Sequence, residues 1–189
     1  MLKILARRLK KYSIMQIKKK ALFSVVKFLV KFNLLAIPLY IVLALNIDFY
    51  WLERMTAEIV FLLLKIIGLN PAISNIVITI PVENGTWAAV INSACTGWKS
   101  AYLFFALVAA TPYSLRSRAW AMVFLPLIMA ANIARIVFMF WVASTNLSYF
   151  EVVHAVVWAW GMALLVVGLW ALWLCKRKFF ENLNIPPKQ

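Results

Sequence analysis

Long apolar runs, separated by short polar or basic segments, constrain this chain more than any other feature. They occupy residues 28–45, 59–69, 101–110, 119–143 and 155–175. Crossing the hydrocarbon core of a bilayer takes about 20 helical residues, and several of these runs approach or exceed that length. Apolar residues make up 65% of the chain, against about half in soluble domains. The expected fold is an all-α polytopic membrane protein with about four transmembrane helices. The N-terminus does not read as a cleavable signal peptide, because its basic region is long and no small-residue cleavage site follows the first apolar run.

The formal charge of +14 would point to nucleic acid in a soluble protein. Its distribution points to a membrane instead. Basic residues precede the first span, Arg116 and Arg118 share one short loop, and Lys176, Arg177 and Lys178 follow the last span. That is the positive-inside pattern, with a polybasic attraction to anionic lipid headgroups. Membrane lipids are therefore expected partners and nucleic acid is not. Spans at 27–46, 92–110, 119–143 and 154–174 place both termini in the cytoplasm. Of the twenty Lys and Arg residues, all but Arg54, Lys65, Lys99 and Arg135 then lie inside or at the inner interface. Cys95 and His154 fall at the outer face of the cell membrane.

The domain plan that follows is a cytoplasmic basic arm at 1–26, a single transmembrane catalytic domain at 27–178 and a cytoplasmic tail at 179–189. Between the first two spans, residues 47–91 must cross an even number of times. "ERMTAEIVFLLLKIIGLN" carries Arg54, Glu58 and Lys65 at helical spacing and reads as an amphipathic helix in the outer interface. An additional span is the alternative, which central charges make costly. Next, Asn84-Gly85 between two β-branched runs signals a small two-stranded hairpin, 75–82 with 86–91. The outer helix and hairpin together cover 50–91. Two glycosylation-type triplets, at Asn84 and Asn146, also fall outside in this plan. Ser148 and Glu151 have capping-box spacing ahead of the last span.

Polar residues within spans carry the chemical information, since each is expensive in hydrocarbon. Asn132 and Arg135 are three apart and share a helix face. Arg135 lies about 12 Å of helix from the outer end at Ala143, within reach of the level of Cys95. His154 is the only histidine. A thiol, a guanidinium and an imidazole thus converge on one membrane face. Thiolate is the nucleophile, and a thiol in apolar surroundings needs a base or a cation to ionise. His154 has the chemistry of that base and of the acid that returns the proton. Arg135 stays protonated and suits an oxyanion or a carboxylate. Gly97 would let a substrate backbone approach closely. Taken singly, each has a structural alternative: Cys95 as inert packing, His154 as an interfacial polar residue, Arg135 bonded to Asn132 and backbone. The tryptophans Trp51, Trp87, Trp98, Trp141 and Trp158 fit an interfacial belt. Cys95 and Cys175 fall on opposite faces and cannot form a disulfide. One His with two separated Cys does not supply a zinc site, and no cofactor is expected.

At these residues the sequence resembles the exosortase/archaeosortase family of membrane cysteine transpeptidases. The pieces that carry the resemblance are "ACTGWKS" around Cys95, "NIARI" around Arg135, and His154, with "FLLLKIIGLN" and "ITIPVENGTW" ahead of them. The resemblance covers roughly residues 57–173, and the "ACTG" form is closer to the archaeal branch than to the bacterial "CSG" form. In the lipid-attaching archaeal subgroup, arginine often stands where this chain has His154. The resemblance implies that Cys95 is the nucleophile and that Arg135 and His154 complete the site, with Asn132 and Gly97 supporting it. It also implies protein substrates bearing a C-terminal motif, a transmembrane helix and a basic tail. These would be cleaved through a thioester and transferred to an outer acceptor, in some family members a lipid. A non-catalytic scaffold or transporter subunit, and a lipid-directed thiol acyltransferase, remain the alternatives.

Overall fold

The computed structural model describes residues 2–83, 85–156 and 160–183. The chain is mostly helical, with one small sheet. Its elements, in order, are α1 (Leu2–Ala44), α2 (Tyr50–Ile66), β1 (Ala72–Ser74), β2 (Val77–Val82), β3 (Gly85–Val90), α3 (Trp98–Ala110), α4 (Leu115–Ala121), α5 (Phe124–Thr145), α6 (Leu147–Val156) and α7 (Met162–Leu183). Trp158 and residues 184–189 of the expected tail lie outside the described residues, as does Asn84.

Among the described residues, two helical stretches are long and apolar enough to cross a membrane, Lys19–Ala44 and Leu115–Thr145. Trp98–Ala110, Leu147–Val156 and Met162–Lys176 are shorter. The helix expected over 92–110 begins only at Trp98, because residues 92–97 are taken up by a turn that holds Cys95. Helix α1 runs back through the expected basic arm, which contains neither Gly nor Pro to stop it. Pro38 inside α1 cannot donate to a carbonyl one turn back. Close by, the Tyr102 hydroxyl donates to the Leu35 carbonyl at 2.8 Å and ties α1 to α3. Between α4 and α5 the helix breaks at Met122–Val123, four residues ahead of Pro126, whose ring would clash with the Met122 carbonyl.

The sheet has three antiparallel strands in the order β1-β2-β3, one more than the expected hairpin. β1 is only three residues long and carries no alternation to read. It turns into β2 at Asn75, whose positive φ of 61° asparagine tolerates well. The Tyr50 hydroxyl of α2 donates to the Asn75 side chain. The β2–β3 hairpin forms as expected, but pairing closes at Val82 with Gly85, so Gly85 belongs to the strand.

Two cores share one wall. Ala57, Val60 and Leu64 of α2, Ile78 and Ile80 of β2, and Ile91 pack on Ile136, Phe140 and Ala143 of α5. The remaining face of the chain builds a second core. There Phe104, Leu107 and Val108 of α3 meet Ala121, Ile128 of α5, and Met162, Val166, Leu169 and Trp173 of α7. The C-terminal half of α5 serves the first cluster and its N-terminal half the second. The buried face of α2 recurs at Glu53, Thr56, Ala57, Val60 and Leu64, the spacing of an amphipathic helix. On its other side the exposed Arg54–Glu58 ion pair sits among exposed Met55, Leu62 and Ile66.

Phe140 is fully enclosed and meets Trp87 edge to face at 5.3 Å. Phe140→Ala is expected to destabilise the protein by about 3–5 kcal/mol, read as an earlier thermal unfolding midpoint in detergent. An unchanged midpoint would mean that this wall of the first core does not exist.

Candidate active site

The loop at 92–97 is built by its own side chains. Asn92 Oδ1 accepts from the Ala94 amide at 3.1 Å, and the Cys95 amide donates to the Asn92 carbonyl at 2.8 Å. The Thr96 hydroxyl donates to the Ser93 carbonyl at 3.0 Å, and Trp98 Nε1 donates to the Ser93 hydroxyl at 3.2 Å. Gly97, with φ of +80°, ends the loop and caps α3, a backbone state that glycine enters without penalty.

Asn132 fixes this loop to α5. Its Nδ2 donates to the Cys95 carbonyl at 2.7 Å, and the residue is 1% exposed. A Cβ added at Gly97 would sit 2.8 Å from Asn132 Cγ and 2.9 Å from its Nδ2. Gly97 was expected to make room for substrate. The space it leaves is instead filled by Asn132, so its role is to let loop and helix close on each other.

Cys95, Arg135 and His154 line one cavity of about 120 Å³. They reach it from the 92–97 loop, from α5 one turn beyond Asn132, and from the last turn of α6. His154, expected at the head of the last span, lies in the last turn of α6; residues 157–159, which follow α6, lie outside the described residues. Ser148 is inside α6, not its cap: its amide donates to Asn146 Oδ1 at 3.0 Å, so Asn146 takes that role. The rest of the cavity wall is largely apolar, including Ala89, Ile91, Met139 and Phe140.

An aromatic chain carries the imidazole. Phe140 meets Trp87 edge to face, Trp87 meets Phe150 at 4.8 Å, and Phe150 stacks parallel on His154 at 5.4 Å. Trp87 is therefore a packing residue between β3, α5 and α6, not a member of a lipid-facing belt. Trp98 is likewise turned inward, against Phe49 at 5.3 Å. Trp51 and Trp141 remain exposed, as a belt requires. The sequence did not distinguish these two uses of tryptophan. It also gave no signal for Glu53, a carboxylate of α2 that is only 5% exposed.

Cys95 lies in the loop ahead of α3, outside the helical spans, and its thiol is half-buried and free. Burial pushes its pKa up, and Glu53 adds to that. A backbone hydrogen bond from Asn92 and the charges of Arg135 and Lys99 pull it down without offsetting the burial. The resting residue is thus a thiol. The apolar wall that shapes the cavity is also what withholds the charge, so a proton acceptor is needed when the thiol reacts.

Two outcomes follow. A raised pKa leaves less thiolate at any given pH, so alkylation of Cys95 by a small neutral maleimide should still be accelerating above the ordinary thiol midpoint of about 8.5. A rate that levels off below that pH would contradict the burial. Gly97→Ala should displace the loop and change the alkylation rate of Cys95. Asn132→Ala should cost about 1–3 kcal/mol of stability by stranding the Cys95 carbonyl, read by thermal unfolding.

A family model described as transmembrane exosortase matches residues 14–174. No curated protein and no solved structure matches the chain. The matched region takes in β3, the loop of Cys95, α5 and α6, which are the elements that form the cavity. The chain belongs to the transmembrane exosortase family, a family of membrane cysteine transpeptidases.

Proposed function

We propose that this protein is a membrane-embedded cysteine transpeptidase that removes C-terminal sorting tails from exported proteins on the outer face of the cell membrane. The observation that carries the proposal is the meeting of Cys95, Arg135 and His154, from three separate segments, around one largely apolar cavity. Family membership makes the reaction class the natural one for that trio.

In the proposed reaction, His154 accepts the Cys95 proton as sulfur attacks the scissile carbonyl. Arg135 faces the oxyanion. The C–N bond breaks as a C–S bond forms, and His154 returns the proton to the leaving amine. An acceptor amine or water then attacks the thioester, regenerates the thiol and carries away the new carboxyl end. A lipid amine is one such acceptor.

The topology that suits this chemistry has α1, α3, α4–α5 and α7 crossing, with both termini cytoplasmic. Helix α3 has 13 residues, about 20 Å of rise, short of the roughly 30 Å hydrocarbon core. The loop at 92–97 would cap that short span at the interface and hold Cys95 there. There a substrate's own transmembrane helix presents the residues just outside the bilayer. Helix α2 and the sheet would form the outer cover.

The test co-expresses the enzyme with a host protein bearing a C-terminal motif, helix and basic tail, and reads the protein's terminal mass. Wild type should remove the tail, and any added mass would identify the acceptor. Cys95→Ala should leave the tail intact. Arg135→Ala is expected to lose about 10²–10³ in rate and His154→Ala about 10²–10⁴. Tail removal by Cys95→Ala, or an intact tail with wild type on every tailed protein of the host, would defeat the proposal.

A further inference from the structure

Strand β3 ends at Val90, one residue before Ile91 and five before Cys95, so the sheet leads directly into the reactive loop. Among the described residues it is an edge strand, paired only with β2. The ladder shows which of its backbone groups are free. The Ile91 amide donates to the Ile76 carbonyl at 2.8 Å, and the register pairs Val90 with Val77 and Ala88 with Thr79. Hydrogen-bonded pairs alternate along an antiparallel ladder. Ile91, Ala89 and Trp87 therefore bond to β2, and the N–H and C=O groups of Thr86, Ala88 and Val90 point to the open edge. Pro81 fits this register, because it faces Thr86 across a pair that exchanges no bonds with β3.

Exposed edges are normally blunted by charge, proline or a bulge. β3 reads "GTWAAV", has none of these residues, and pairs with β2 without interruption. Thr86, Ala88 and Val90, whose backbone groups point to that edge, are exposed. At the end of that edge, Ala89, Val90 and Ile91 line the same cavity as Cys95.

We infer that the open edge of β3 binds the substrate: the extended peptide segment preceding the scissile bond adds to the sheet as a fourth strand and delivers its carbonyl to Cys95. The inference rests on the function proposed above and says how that site holds its substrate. Main-chain bonds to Thr86, Ala88 and Val90 supply affinity largely independent of sequence, and the cavity supplies selectivity. The cavity's about 120 Å³ compares with the roughly 150 Å³ engineered cavity that holds a benzene. It has room for one aliphatic side chain beside the polar end formed by Arg135 and His154. A substrate whose tail enters the bilayer beyond the cleaved bond approaches Cys95 in the direction β3 runs, which makes the added strand parallel to β3.

The test is Ala88→Pro, which removes an outward N–H and leaves the bonds to β2 in place. It should slow tail removal at least about tenfold, while Cys95 is alkylated by a small maleimide at the wild-type rate. Ala88→Val keeps the N–H and should stay within about threefold. A second measurement does not depend on the proline being tolerated. Ala88→Cys, in a Cys95→Ala and Cys175→Ser background, is oxidised with substrates carrying one cysteine at successive positions before the scissile bond. Cross-links should appear at alternate positions, the period of a strand. Full-rate processing by Ala88→Pro, cross-links without alternation, or cross-links only between two enzyme copies would overturn the strand addition while leaving the proposed function standing. A wild type that removes no tail would overturn both.

Discussion

One hydrogen bond, from Asn132 Nδ2 to the Cys95 carbonyl, joins the parts of this protein that the site requires. On one side of it is the 92–97 loop, which has no helix or strand of its own. On the other is α5, the helix common to both cores. An amide buried in such surroundings is costly unless paired, so the bond specifies one register of loop against helix. Gly97 makes the close approach possible, since any side chain there would collide with Asn132. Arg135, one turn further along α5, then faces the same cavity as the thiol.

The two cores divide the labour around that junction. The cluster of α3, α5 and α7 is a helical bundle. The cluster of α2, the sheet and α5 is a small packed layer that shapes the cavity and, through Phe140, Trp87 and Phe150, seats His154. The same apolar lining that defines the cavity raises the Cys95 thiol. In the proposed reaction the proton that burial holds on the sulfur passes to His154.

Much of this was legible in the sequence, for identifiable reasons. Apolar runs and the placement of Lys and Arg marked a membrane protein. The pattern of Arg54, Glu58 and Lys65 marked α2, and the β-branched runs around Gly85 marked the hairpin. Cys95, Arg135 and His154 stood out because polar groups in apolar runs are expensive. Other features depended on contacts distant in sequence. β1 is too short to show a period, and its existence depends on Asn75 and β2. Asn146 took the helix start from Ser148, which a pattern of spacing could not decide. Trp87 and Trp98 have the composition of a belt, and only their packing against Phe140, Phe150 and Phe49 separates them from Trp51 and Trp141. Nothing local marks Glu53 as buried. The role of Gly97 appeared only once Asn132 was seen filling the space beside it.

The central claim is that the Cys95 sulfur becomes covalently bound to the carboxyl end of a protein substrate. The most direct measurement is the intact mass of wild-type enzyme, quenched in acid during processing of a tailed substrate. The account predicts an added mass equal to the cleaved substrate, located on the Cys95 peptide, released by neutral hydroxylamine, and absent from Cys95→Ala. Tail removal at full rate with no adduct on Cys95, and undiminished in Cys95→Ala, would contradict it.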